Sequence, residues 1–253
     1  MPSVRSICSM TAKLYLDISP QPDNISCGPT CLHAIYRYFG DEISLDQVVS
    51  EIPQIASGGT LAVYLAVHAL RRGYNAVIYN YNLQIFDPTW AIARGKEIAG
   101  KLRLQASHKK ADPGLEVSTK GYLEFLELGG ELRFEVLSAA LIRRYLKRSL
   151  PILSGLSATY LYSCAREYSE GNDLIFDDIR GTPMGHFVVL AGYDKQDRTV
   201  LIADPLLPNP VGSGQFYRVN ILRLVCAIML GTLTFDGDLL IIKPAARRKK
   251  RAL

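Results

Sequence analysis

The side chains most able to do chemistry are five cysteines, Cys8, Cys27, Cys31, Cys164 and Cys226, and four histidines, His33, His68, His108 and His186. A cysteine attacks as its thiolate, which forms readily where a helix N-terminus or a cation stabilises negative charge. Cys27 meets the first condition. It lies in Gln21-Pro22-Asp23-Asn24-Ile25-Ser26-Cys27-Gly28-Pro29-Thr30-Cys31-Leu32, where Cys31, Ile35 and Phe39 recur at helical spacing and Gly40 supplies a stop. The pattern predicts a helix over 28–39 that begins beside Cys27, and Pro29 suits a first turn that needs no amide donor there. Gly28 is expected to leave room beside the sulfur for a substrate. Gln21, six residues earlier on the loop, can direct its side-chain amide to the same space as the Cys27 backbone N–H. Two such donors make an oxyanion hole. Cys31 falls on the apolar stripe and reads as core. Cys8, Cys164 and Cys226 have neither a base nor a helix start beside them and read as structural.

A cysteine nucleophile needs a base and a group to orient that base. His33 is inside the Cys27 helix and projects away from its start. His68 falls among core positions of another helix, and His108 in a basic loop. His186 opens the strand Gly185-His186-Phe187-Val188-Val189-Leu190-Ala191-Gly192-Tyr193-Asp194, and a strand end fixes a side chain better than a loop does. The orienting partner is expected at the end of the adjoining strand, at Asp204 in Ile202-Ala203-Asp204-Pro205. Asp194 and Asp197 read as turn residues. Geometry makes a demand here. A three-residue turn over 195–197 places His186 and Asp204 diagonally on one face. A turn of two or four residues puts them on opposite faces unless a β-bulge repairs the register.

The elements that must hold these groups follow from periodicity. Alternation at Leu14, Leu16 and Ile18 predicts a short strand. Ser44 caps a helix to about Glu51, and Thr60 caps one from Leu61 to Arg72 ended by Gly73. Residues 74–80 read as a strand, and Thr89 to about Ser107, 118–128 and 138–148 as helices. The cluster between 105 and 120 reads as an exposed loop. Segments 185–193 and 199–204 form a hairpin, 220–231 is open between helix and strand, and Leu239 to Ile242 is a last strand. Helices first and antiparallel strands later indicate an α+β fold.

Gln21-x5-Cys27-Gly28, the Cys31-Leu32 helix ending at Gly40, Gly185-His186-Phe187-Val188-Val189, Asp204-Pro205 and the segment Gly155 to Tyr162 together resemble the double-glycine leader peptidases. These are papain-like domains that process bacteriocin precursors. The closer resemblance is to their stand-alone bacterial branch, called peptidase C39-like. It implies a papain-like cysteine peptidase fold, with the helix that starts at the cysteine packed on a C-terminal antiparallel sheet. It further implies Cys27 as nucleophile, His186 as base, Asp204 as orienter and Gln21 as oxyanion donor, with a peptide or small protein as substrate and no metal or organic cofactor. An acyltransferase or peptide ligase using the same acyl-enzyme, and a non-catalytic peptide-binding module, are the alternatives. The stretch from about 85 to 180 is longer than a minimal peptidase core and is expected to shape or cover the substrate groove. Tyr160, Tyr162, Tyr168 and Trp90 are candidates to line it, although such aromatics are more often core.

Composition bounds the rest. The chain has 253 residues, 48% hydrophobic and 21% charged, which is ordinary for a globular protein. It reads as one domain over 1–246, helical to about 130 and strand-rich from about 131, followed by a basic tail, 247–253. The net charge of +5 comes from Arg247, Arg248, Lys249, Lys250 and Arg251; without that run the chain carries 24 basic and 24 acidic residues. A neutral body argues against a nucleic-acid-binding face. The tail suits at most a weak contact with phosphates or anionic lipid. An odd number of cysteines with no Cys-x-x-Cys pair argues against a disulfide framework and a zinc site. No signal peptide or membrane span is visible, so a reducing, cytoplasmic setting is expected.

Overall fold

The computed structural model describes residues 12–55, 58–93, 95–109, 112–170, 173–235 and 237–245. Cys8 and the basic run Arg247 to Arg251 lie outside these residues.

In chain order the elements are β1 (Ala12–Lys13), α1 (Cys27–Tyr38), α2 (Leu45–Glu51), α3 (Ala62–Arg71), β2 (Tyr74–Asn80), a 3-10 turn (Pro88–Ile92), α4 (Gly95–His108), α5 (Pro113–Glu127), β3 (Glu131–Arg133) and α6 (Ala139–Leu146). There follow β4 (Ile152–Ser157), α7 (Ala158–Tyr162), β5 (Glu167–Glu170), β6 (Asp173–Phe176), β7 (Gly185–Asp194), β8 (Thr199–Ala203), β9 (Phe216–Asn220), α8 (Ile221–Leu230), a second 3-10 turn (Gly231–Thr234) and β10 (Asp238–Pro244). The fold is α+β. An eight-stranded sheet runs β3-β2-β10-β4-β7-β8-β9, with β1 added beside β7, and β5 and β6 form a separate hairpin. Every pairing in the large sheet is antiparallel except β2 with β3. The helical first part thus lends β2 to the interior of the sheet.

Both faces of the sheet are covered. Side chains alternate along a strand, so Phe187, Val189 and Ala191 enter the core made with α1, α3, α4 and α5, while Val188 and Leu190 enter the core made with α6, α7 and α8. β7, buried from His186 to Asp194, accordingly reads as a continuous apolar run over Phe187 to Ala191.

Several boundaries differ from expectation for identifiable reasons. The alternation at Leu14, Leu16 and Ile18 does predict burial, since all three are buried, but only Ala12–Lys13 pairs as strand. β4 occupies the edge of β7 from Gly185 to Leu190, which leaves this segment only Gly192, Tyr193 and the carbonyl of Ala191, bonded by the Leu14 N–H at 2.8 Å. Thr60 does not cap α3; its hydroxyl donates to the Pro53 carbonyl at 2.8 Å. The helix expected over 89–107 is broken: a 3-10 turn capped by Asp87 ends at Ile92, and α4 opens at Gly95, whose φ is +26°. The loop expected over 105–120 is instead the joint between two helices. Asp112 caps α5 by accepting from the Leu115 N–H at 3.0 Å, and His108 is the last residue of α4. Segment 220–231 resolves as helix, capped by Asn220 and burying Ile221, Leu224, Ala227 and Ile228 on one face.

Candidate functional site

Cys27 is the first residue of α1, whose first turn exposes amides with no partner inside the helix. Gly28 follows it in a tight place. A Cβ there would lie 2.9 Å from Thr60 Cγ2, 3.1 Å from Phe187 Cδ2 and 3.2 Å from Leu65 Cδ1. The space Gly28 leaves is therefore filled by α3 and β7, which corrects the expectation that it makes room for a substrate. Glycine lets the helix start seat against the strand that carries His186.

The hairpin delivers His186 and Asp204 by an indirect route. Asp194 pairs with Thr199, so the turn has four residues, and uninterrupted pairing would put His186 and Asp204 on opposite faces. The register shifts between Gly192, opposite Leu201, and Leu190, opposite Ile202, so that Ala191 is an extra residue in β7. Val189 then faces Ala203 and parity is restored. His186 Nε2 and Asp204 Oδ1 are 2.9 Å apart, both residues buried. With Nε2 so engaged, the other ring nitrogen is left for the Cys27 side chain, which hydrogen-bonds the same imidazole.

Asp204 is held on every side. Its Oδ1 also accepts the Leu206 N–H at 2.9 Å, and its Oδ2 accepts the hydroxyls of Tyr162 at 2.8 Å and Tyr217 at 2.5 Å. Burial penalises its charge, but His186 and these donors outweigh the penalty and keep the carboxyl below its ordinary range. Burial and the Asp204 charge push both tyrosines up, so they remain donors.

Cys27 and His186 are shifted in opposite senses. Burial pushes the Cys27 thiol up, yet the His186 charge, the hydrogen bond to that ring and the N–H groups of Phe187 and Gly28 prevail, leaving it lowered. Burial works against the His186 cation, but Asp204 and Cys27, by charge and hydrogen bond, lift it to about 10. The two opposite shifts favour passage of the Cys27 proton toward His186. Cys31, one turn along, is buried, donates to the Phe187 carbonyl at 3.2 Å and has its thiol pushed well up by burial.

Gln21 lines the same cleft as Cys27 and His186, and its backbone N–H donates to the Pro205 carbonyl at 2.9 Å. Its Nε2 gives one bond to its own loop, at Asp23 O, 2.7 Å away, while Oε1 is buried without a partner. The amide is thus at the site, with one N–H committed to the loop and a second uncommitted by that bond.

The cleft has two arms. One, of about 480 Å³, runs past Ile55, Gly58, Thr60 and Phe235. The other, of about 620 Å³, runs past Gln21, Tyr162, Glu167, Phe176 and Pro208. Glu167 and Phe176 belong to the β5–β6 hairpin, so part of the long stretch before residue 180 lines this cleft. Of the aromatics singled out in the sequence, Tyr162 lines it; Trp90 packs on the core and Tyr160 lies under the Arg223 guanidinium. The other histidines go elsewhere. His33 Nε2 bonds the Ile43 carbonyl, and His68 lies between Tyr36 and Glu51.

The sequence reading missed Tyr162 as a partner of Asp204, and it missed Tyr217 and Glu167 altogether. Tyr217 faces Ile202 across β8 and β9, a signal available only once β9 is known to pair there.

Among the described residues no helix is long and apolar enough to cross a membrane, and no group of three or more His, Cys, Asp or Glu side chains is placed to hold a metal ion. No protein-family model matches the chain, and no curated protein matches it. Among solved structures it is similar to a double glycine motif protease from an AMS/PCAT transporter in complex with the leader peptide, at 14% identity and a TM-score of 0.45, over 93% of this chain and 96% of that one. It is similar to a C39-like peptidase from Bacillus anthracis at 12% identity and a TM-score of 0.47, over 93% and 98% of the two chains. The third is the peptidase domain of Streptococcus ComA, a bi-functional ABC transporter involved in a quorum sensing pathway, at 14% identity and a TM-score of 0.41, over 90% and 98%.

Proposed function

We propose that the protein is a papain-like cysteine hydrolase of the stand-alone C39-like branch, cleaving an amide bond in a small peptide or peptide precursor. The observation that carries this reading is the line of contact from half-buried Cys27 through buried His186 to buried Asp204, with the thiol lowered and the imidazole raised.

In this mechanism the Cys27 proton already resides on His186. The thiolate attacks the substrate carbonyl, a C–S bond forms, and the carbonyl oxygen takes the negative charge. The Cys27 N–H and the free Nε2 hydrogen of Gln21 hold that oxyanion, each donor worth about 3 kcal/mol in such sites. His186 then passes its proton to the amine as the C–N bond breaks. Water, deprotonated by His186, attacks the acyl carbon, the C–S bond breaks to release the acid, and the thiolate–imidazolium pair is restored. Asp204 stays ionised throughout and fixes the ring orientation and tautomer. The two arms of the cleft hold the acyl and amine sides of the substrate.

The test is a digest of a mixed peptide library, with products identified by mass spectrometry. Wild-type protein cleaves a subset, Cys27→Ala cleaves none, and Gln21→Ala lowers kcat by about 10²–10³. Cleavage that survives Cys27→Ala overturns the reading. Amine-capped products formed when a free amine is added would assign acyl transfer to the same acyl-enzyme.

A further inference from the structure

One arm of the cleft carries a charge that the chemistry of Cys27 does not require. Glu167 is 8% exposed and lines the cavity that contains Cys27 and His186. Its backbone is pinned to Thr182 by two hydrogen bonds, Glu167 N to Thr182 O at 3.1 Å and Thr182 N to Glu167 O at 2.8 Å. Among the described residues no hydrogen bond or ion pair reaches its carboxylate, and its only electrostatic neighbours of note are His186 and Cys164. Burial raises its pKa, and the His186 charge offsets this only in part. A mostly buried carboxylate with only that partial compensation gains from a further cation brought beside it.

The hairpin supplies the rest of a cation site. Glu167 pairs directly with Phe176, so both side chains leave the same face of the β5–β6 ribbon. Phe176 is 53% exposed and lines the same cavity. An aromatic face beside a carboxylate is a complementary environment for an ammonium or guanidinium. Ile25, Leu206 and Pro208 line the same cavity and offer an apolar surface to the methylene stem of a long basic side chain.

We propose that Glu167 and Phe176 form a subsite for a cationic group, so that the protein selects peptides with a positive charge next to the bond that Cys27 attacks. This rests on Cys27 and His186 being the reacting pair. The charge is carried either by a lysine or arginine side chain or by a free α-ammonium.

Methanethiosulfonates that differ in charge test the subsite without a known substrate. Cys27 is modified with the cationic 2-aminoethyl reagent and with the neutral methyl reagent, and the ratio of rates is compared between variants. Glu167→Gln lowers the cationic-to-neutral ratio about tenfold, the scale of one partly screened charge pair, and Glu167→Lys turns the preference toward the anionic 2-sulfonatoethyl reagent. An unchanged ratio overturns the proposal. So does a parallel fall in both rates, which would make Glu167 a partner of His186 instead.

If the variants do not fold, wild-type protein decides. Nα-acetyl-lysinamide protects Cys27 from the neutral reagent at lower concentration than Nα-acetyl-norleucinamide, and glycinamide reports the α-ammonium source. Equal protection by all three overturns the proposal. Failure of the underlying reading looks different: Cys27 in His186→Ala would react with the neutral reagent as fast as in wild type, whatever the charge ratio.

Discussion

His186 and Asp204 meet on one face of the sheet because a four-residue turn and the extra residue Ala191 cancel each other's change of parity. Neither irregularity alone would permit the 2.9 Å contact.

That contact sets the behaviour of the thiol. Because Cys27 is lowered and His186 is raised to about 10, the thiolate is expected to persist below the ordinary thiol range near 8.5. Iodoacetamide at pH 6, followed by peptide mass mapping, should label Cys27 about tenfold or more faster than Cys31 and Cys164, both of which burial pushes up. His186→Ala should erase the advantage. Equal labelling of the three cysteines in wild type would rule out the ion pair.

Asp204 has no spare valence, and removing it strands its donors. Asp204→Ala leaves the Tyr162 and Tyr217 hydroxyls, the Leu206 N–H and the His186 ring without their acceptor. The expected cost is about 3–5 kcal/mol in urea unfolding. Tyr217→Phe removes one charge-assisted bond and should cost about 1.5–3 kcal/mol. A loss under about 1 kcal/mol for Asp204→Ala would contradict the burial described for this cluster.

Gly28→Ala is expected to destabilise by about 1–3 kcal/mol through overpacking against Thr60, Phe187 and Leu65. Thr60→Ser removes the nearest methyl group and keeps the hydroxyl that donates to Pro53. The double variant should therefore recover part of the loss in thermal unfolding. Strict additivity of the two changes would show that the methyl is not the obstacle.

A second buried carboxyl predicts a pH dependence with the opposite sign to that of Asp204. Asp238 is buried against Asn80, and burial pushes it up to about 8. In the unfolded chain an Asp titrates near 3.9. Between these values the folded state holds a proton the unfolded state has lost, so this group's contribution to stability is full below about pH 4 and declines as pH rises to about 8. Asp238→Asn should be more stable than wild type at pH 8, by about 1 kcal/mol or more, with the gap shrinking at pH 5. Urea unfolding at the two pH values measures it; a gap independent of pH refutes it.

The sequence made Cys27, His186 and Asp204 legible as candidates because helix starts and strand ends announce themselves locally. Cys27 begins its helix one residue before the span the apolar spacing marks, and His186 and Asp204 stand at the ends of two apolar runs. What was not legible depends on competition between distant segments. Leu14 to Ile18 alternates as a strand should, but β4 holds the edge it would need. The bulge at Ala191 leaves no mark in composition. Tyr217 and Glu167 gain their positions from β9 and from a hairpin outside the main sheet, neither of which periodicity places beside Asp204 or the cleft. Gly28 carried the right signal, close approach, with the wrong neighbour assigned to it.

The bulge has a consequence for the order of assembly. β7 and β8 adjoin in sequence and can zip early, but the carbonyl of Ala191 finds its partner only when Leu14 arrives from the other end of the chain. Contacts of such long sequence separation form late. The register that brings His186 and Asp204 together is thus completed by a contact of long sequence separation, and the hairpin alone does not supply it.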